Sequence, residues 1–134
     1  MGAWDIGSFD NDGASDWLCG LEKSSDTSLI SSALRAVTDI GNEYLEAPDC
    51  CNALAAAEIV SALRGHPLAN LPDEAKQWVD AHRGLDTSSL VPTALSAIQR
   101  IRTNSELKEL WDEVDETTKW LVTVDDLTSR LSAQ

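Results

Sequence analysis

The chain has 134 residues, 43 % hydrophobic and 25 % charged, which suits one globular domain with a sizeable core and excludes a disordered chain. Ten Lys and Arg stand against 23 Asp and Glu, a net charge of −13. Such a chain repels phosphate, so nucleic-acid binding is not expected. No apolar run approaches the ~18–20 residues that span a bilayer, and the N-terminus lacks the basic and apolar regions of a signal peptide, so a soluble, cytoplasmic protein is expected.

The chain opens on MGAWDIGSFDND, before any helical pattern. Residues 1–11 are read as an N-terminal arm tucked onto the rest of the chain. Trp4 is its anchor, Phe9 a second one, and Gly2 and Gly7 let the backbone turn around the indole. Asp10, Asn11 and Asp12 lead into the first helix, with Asn11 or Asp12 as N-cap. A calcium loop does not fit this triplet. Counting from Asp10, the sixth place is Ser15 and the twelfth Leu21, where an EF-hand needs Gly and Glu.

Helical periodicity continues from there, with no strand alternation. Ala14, Trp17, Leu18 and Leu21 form the stripe of a first helix, from Asp12 to about Leu21. Asp26 or Thr27 opens a second, with Leu29, Ile30, Ala33, Leu34, Val37 and Ile40 on one face and Gly41-Asn42 at its end. Pro48 suits the first turn of a third helix, PDCCNALAAAEIVSALRG, which is apolar almost all round and therefore expected to be central. Pro72 starts a fourth, carrying Ala75, Trp78, Val79 and His82, which ends at Gly84. A fifth begins near Ser88 or Ser89, so that Pro92 falls in its first turn, and buries Leu95, Ile98 and Ile101. Asn104 or Ser105 caps a sixth, with Leu107, Leu110, Trp111 and Val114 inside. The seventh runs from about Thr117 to Leu131 and buries Trp120, Leu121, Val124 and Leu127. The expected fold is an all-α, single-domain bundle of about six or seven helices spanning residues 1–134.

Several of these segments are similar, in order, to a bacterial family catalogued as domain of unknown function number four-two-five-nine. MGAW, FDND with Asp16-Trp17, EYLEAP, ALAAAEIVSAL, LPDEAKQWV and NSELKELWDE carry the resemblance over nearly the whole chain. The sequence departs from the family's usual form at Asp5 and Gly13. The resemblance implies a small bacterial protein and supplies no activity.

Catalytic signals are sparse. His66 and His82 both fall near helix C-termini, where a protonated imidazole gains from the helix dipole. No nucleophile elbow, phosphate loop or zinc-protease motif occurs. Cys19, Cys50 and Cys51 lack C-x-x-C spacing and are expected to be reduced core thiols, so no metal and no cofactor is expected. Glu58 falls on an apolar face between Leu54, Cys51 and Ala62. A carboxylate there must be hydrogen-bonded, paired or protonated. The arm's backbone N–H groups or an indole are its expected donors, and a catalytic acid in a pocket is the alternative.

The remaining feature is the acidic tract 106–126. Glu106, Glu109, Asp112, Glu113, Asp115, Glu116, Asp125 and Asp126 face only Lys108 and Lys119, a net of −6. Besides a solvated face, it reads as a docking surface. The functional expectation is a non-catalytic protein that binds and neutralises a basic protein partner, such as a toxin held by an immunity protein, through Glu109, Asp112, Glu113, Asp115, Glu116, Asp125 and Asp126. The alternative is a small hydrolase or ligand-binding protein with a pocket near Glu58 and the arm.

Overall fold

A computed structural model of the chain describes residues 12–68 and 71–132, and among these there are seven helices and no strand. The arm, with Trp4, Phe9, Asp10 and Asn11, lies outside the described residues, as does the side chain of Asp12. The helices are α1 (Asp12–Glu22), α2 (Ser28–Thr38), α3 (Ala47–Leu63), α4 (Asp73–Ala81), α5 (Leu90–Thr103), α6 (Glu106–Glu113) and α7 (Thr117–Ser132).

The axis of the bundle is α3. Pro48 sits in its first turn, where a missing N–H costs nothing. Thirteen of its 17 residues are buried, and it touches all six other helices. Its alanines at 53, 55, 56, 57 and 62 have no side chain beyond Cβ, which lets several neighbours approach on different sides. The helix ends at Arg64 in a Schellman turn. Gly65 adopts φ +92°, a conformation that favours glycine, its N–H donates to Ala62 O, and the His66 N–H reaches back to Ser61 O at 2.9 Å.

The other helices lay one apolar stripe on this axis. Ala14, Trp17, Leu18 and Leu21 of α1 are buried, as are Ile30, Ala33, Leu34 and Val37 of α2. The second helix stops at Thr38, earlier than the expected end at Gly41-Asn42. Arg100 of α5 then holds the loop that follows, donating to Gly41 O at 2.7 Å and Glu43 O at 2.9 Å. In α4, the Trp78 indole donates to Ser24 O at 2.9 Å, tying α4 to the α1–α2 turn. His82 stacks on the same ring, with centroids 4.1 Å apart. Its Nδ1 lies 2.7 Å from Trp78 O, at the last turn of α4 as expected for a histidine near a C-terminus.

Two side chains predicted to be inside α6 are outside. Leu107 and Trp111 are buried, but Leu110 is 36 % and Val114 60 % exposed. The helix is only eight residues long, and its two inward positions already satisfy the contact with α3, α5 and α7. Cys19 is likewise exposed on α1, whereas Cys50 and Cys51 are buried. The expectation of three core thiols therefore holds for two. Burial pushes the Cys50 thiol up to about 11 and the Cys51 thiol up to about 12, so both stay protonated and unreactive near neutrality.

Candidate functional site

Glu58 is fully buried in the middle of α3, and the structure gives it a partner that the sequence did not suggest. Arg130, 72 residues away on α7, meets it with two nearly parallel bonds, Nη1 to Oε1 at 2.8 Å and Nη2 to Oε2 at 3.2 Å. This fork-to-fork geometry is the strongest that a carboxylate and a guanidinium form. The same guanidinium donates through Nε to Asp126 at 2.8 Å and reaches His66 O at 3.3 Å. Ser61 Oγ donates to that carbonyl at 2.5 Å. Burial opposes the charge on Arg130, but the bonds and charges of Glu58 and Asp126 outweigh it and raise its pKa. The arm, expected to supply donors to Glu58, lies outside the described residues. What is visible is a clamp that fastens α7 to α3 and to the loop after it.

The acidic tract divides into carboxylates that hold the fold together and carboxylates that do not. Glu106 accepts from the Ala47 N–H at 2.7 Å and so caps the N-terminus of α3 from another helix. The backbone N–H of Glu106 donates to Leu45 O, seating the start of α6 on the same turn. Ser105 caps α6, accepting from the Lys108 N–H at 3.1 Å. Asp112 accepts from Lys108 and Thr117, and these bonds hold its carboxyl below the usual range. Glu116 pairs with Lys119, Asp125 with Arg102 and Asp126 with Arg130.

The rest of the charge gathers on the outer face of α6. Glu113 and Asp115 are exposed and make no ion pair among the described residues. Glu109 accepts a 2.9 Å bond from the exposed Tyr44 hydroxyl. That bond, then desolvation and the charges of Glu109, Glu106 and Glu46, push the Tyr44 phenol up to about 12. Positions 109 and 113, and 110 and 114, are i,i+4 pairs and 110 and 113 an i,i+3 pair, the spacings that make neighbours on a helix. Leu110 therefore lies beside Glu113.

Asp115 follows α6 in an unusual conformation. Its φ is +58°, and it occupies the C′ place of a second Schellman turn, with the Glu116 N–H donating to Trp111 O at 3.1 Å. Glycine is the ordinary occupant of that place, as at Gly65. An aspartate tolerates it at some cost.

The tract's seven candidate contact residues thus do not form one set. Glu109, Leu110 and Glu113 are exposed on α6, Tyr44 is bonded to Glu109, and the exposed Val114 and Asp115 follow at the helix end. Asp112, Glu116, Asp125 and Asp126 are engaged by neighbouring side chains. Sequence reasoning missed Arg130 and Tyr44 because their partners are remote in the chain.

The family model described as Domain of unknown function (DUF4259) matches residues 2–123. The chain belongs to the DUF4259 family. No curated protein and no solved structure matches it. The stretch shared with DUF4259 contains Glu58 and the whole α6 patch but ends before Asp126 and Arg130. Among the described residues, no group of His, Cys, Asp and Glu is placed to hold a metal ion, and no helix is long and apolar enough to cross a membrane.

Proposed function

We infer that this DUF4259 protein is a non-catalytic interaction protein that binds and neutralises a basic protein partner, as an immunity protein holds a toxin. The observation that carries the reading is the α6 face. It presents Glu113 and Asp115, which make no ion pair among the described residues, together with exposed Leu110 and Val114 and the Tyr44–Glu109 hydrogen bond. Exposed charge of one sign accelerates and orients the approach of an opposite charge. Exposed Leu110, Val114 and Tyr44 supply apolar area that charge alone lacks.

The conformation of Asp115 adds a second support. Asp115 stands where glycine is easier for the backbone. Backbone strain of this kind clusters at functional sites.

The alternative, a hydrolase or ligand-binding pocket at Glu58, has less behind it. Glu58 is fully buried and both its oxygens face Arg130. A general acid needs access to substrate and a proton to give.

Immobilised protein incubated at low salt with lysate of the source organism tests the reading. A basic protein should be retained, then released as salt rises, and the Glu113→Lys/Asp115→Asn variant should fail to retain it. Retention of no basic protein, or equal retention by the variant, overturns the reading.

A further inference from the structure

A second surface feature lies at α4, with its own chemistry. A cleft of about 320 Å³ opens between the end of α3, the loop after it and α4. Ala62, Pro67, Leu68, Leu71 and Val79 make its walls apolar, and Lys76, Asp80 and Arg83 complete the lining. We propose that this cleft binds a small aliphatic monocarboxylate, its hydrocarbon body against the apolar walls and its carboxylate on the Lys76 ammonium.

The charge balance at the cleft selects the ligand. Arg83 turns both Nε and Nη2 onto Asp80 Oδ1, at 3.1 and 2.7 Å, so these two charges answer each other. The Lys76 ammonium makes no side-chain hydrogen bond or ion pair among the described residues, in a chain of net charge −13. Two cations, Lys76 and Arg83, against one carboxylate, Asp80, leave the lining with one positive charge in excess, which suits one negative charge on an apolar body. A dianion would meet Asp80, and an amine would meet Lys76. The volume is at the lower end of the roughly 300–1,000 Å³ of ligand sites, which fits a short chain.

The start of the wall opposite α4 is tied to the bundle. Pro67 and Leu68 follow directly on His66, whose carbonyl takes bonds from Ser61 Oγ and Arg130 and whose N–H donates to Ser61 O. The buried Glu58–Arg130 clamp therefore fixes the residue from which this wall springs.

Octanoate is the probe, titrated into the ¹⁵N-labelled protein, with octylamine and octanol as controls. Octanoate should move the amide signals of Leu68, Leu71, Lys76, Val79, Asp80 and Arg83. Octylamine should not move them, and octanol should bind more weakly. Lys76→Glu should weaken octanoate binding at least about tenfold, the equivalent of about 1.4 kcal/mol, while Lys76→Arg restores most of it. Lys76 is exposed, so both variants keep the fold. The proposal is overturned by an absence of shifts up to the solubility limit of octanoate, by shifts outside the cleft, by equal shifts with octylamine, or by undiminished binding to Lys76→Glu.

Discussion

Glu58 and Glu113 are the same residue type on helices that touch one core, yet their surroundings differ completely. Glu58 lies on α3, which is enclosed by every other helix, so its charge needs a partner from within the protein. Arg130 supplies a two-bond match, while its Nε donates to Asp126 and its Nη1 also reaches Ser61 Oγ and the His66 carbonyl. Glu113 lies on α6, a short helix at the edge, and water solvates it without help. A buried carboxylate is thereby committed to structure, and an exposed one remains available to a partner. Arg130 links the two regions, since Asp126, counted in sequence as part of the docking tract, belongs to the clamp.

The largest break in this comparison is Arg130→Ala. It should leave Glu58 buried opposite no guanidinium and cost roughly 3–5 kcal/mol in denaturant unfolding. Glu58→Met combined with Arg130→Met should cost much less, because both charges go together. A double variant as unstable as the single one would show that the bonds from Arg130 to Asp126 and the His66 carbonyl, rather than its pairing with Glu58, matter here.

A smaller effect of opposite sign is expected at Asp115. Asp115→Gly relieves a left-handed residue and should stabilise the fold by about 1 kcal/mol while weakening partner binding. Thermal melts with and without the partner separate these two outcomes. A loss of stability would mean that the Asp115 side chain supports the turn.

The exposed charges should matter least to the fold. Glu113→Lys/Asp115→Asn should shift stability by no more than about 0.5 kcal/mol, while slowing association with a basic partner and flattening its salt dependence. A shift in unfolding beyond that range would place these side chains in the same class as Glu58.

The finest probe is Tyr44, the chain's one tyrosine. Its hydrogen bond donates a proton toward a carboxylate, which favours the protonated phenol and raises its pKa to about 12 from the ordinary 10.0. Tyrosinate absorbance should therefore appear only at strongly alkaline pH. Glu109→Gln, which removes the acceptor charge, should bring the transition down toward the ordinary value with little change in folding. An unaltered transition would detach Tyr44 from the acidic patch.

The helices were legible in the sequence because each one needs an apolar stripe at the helical period. The stripes of α1, α2 and α7 follow it closely, and Pro48 and Pro92 sit in first turns because proline is tolerated only there. The all-round apolar pattern of α3 already marked it as central, and its place among six neighbours follows from that. Family membership was legible too, from the ordered segments between MGAW and NSELKELWDE. Local pattern cannot say which flank of a short stripe finds a neighbour, so Leu110 and Val114 read as core on a helix too short to show where its stripe ends. Nor can it name partners far apart in the chain. The pairing of Glu58 with Arg130, the capping of α3 by Glu106 and the bond from Tyr44 to Glu109 all join residues that only the tertiary packing brings within reach. Periodicity is a property of neighbouring residues, whereas the destination of a charge depends on which helices the core has placed side by side.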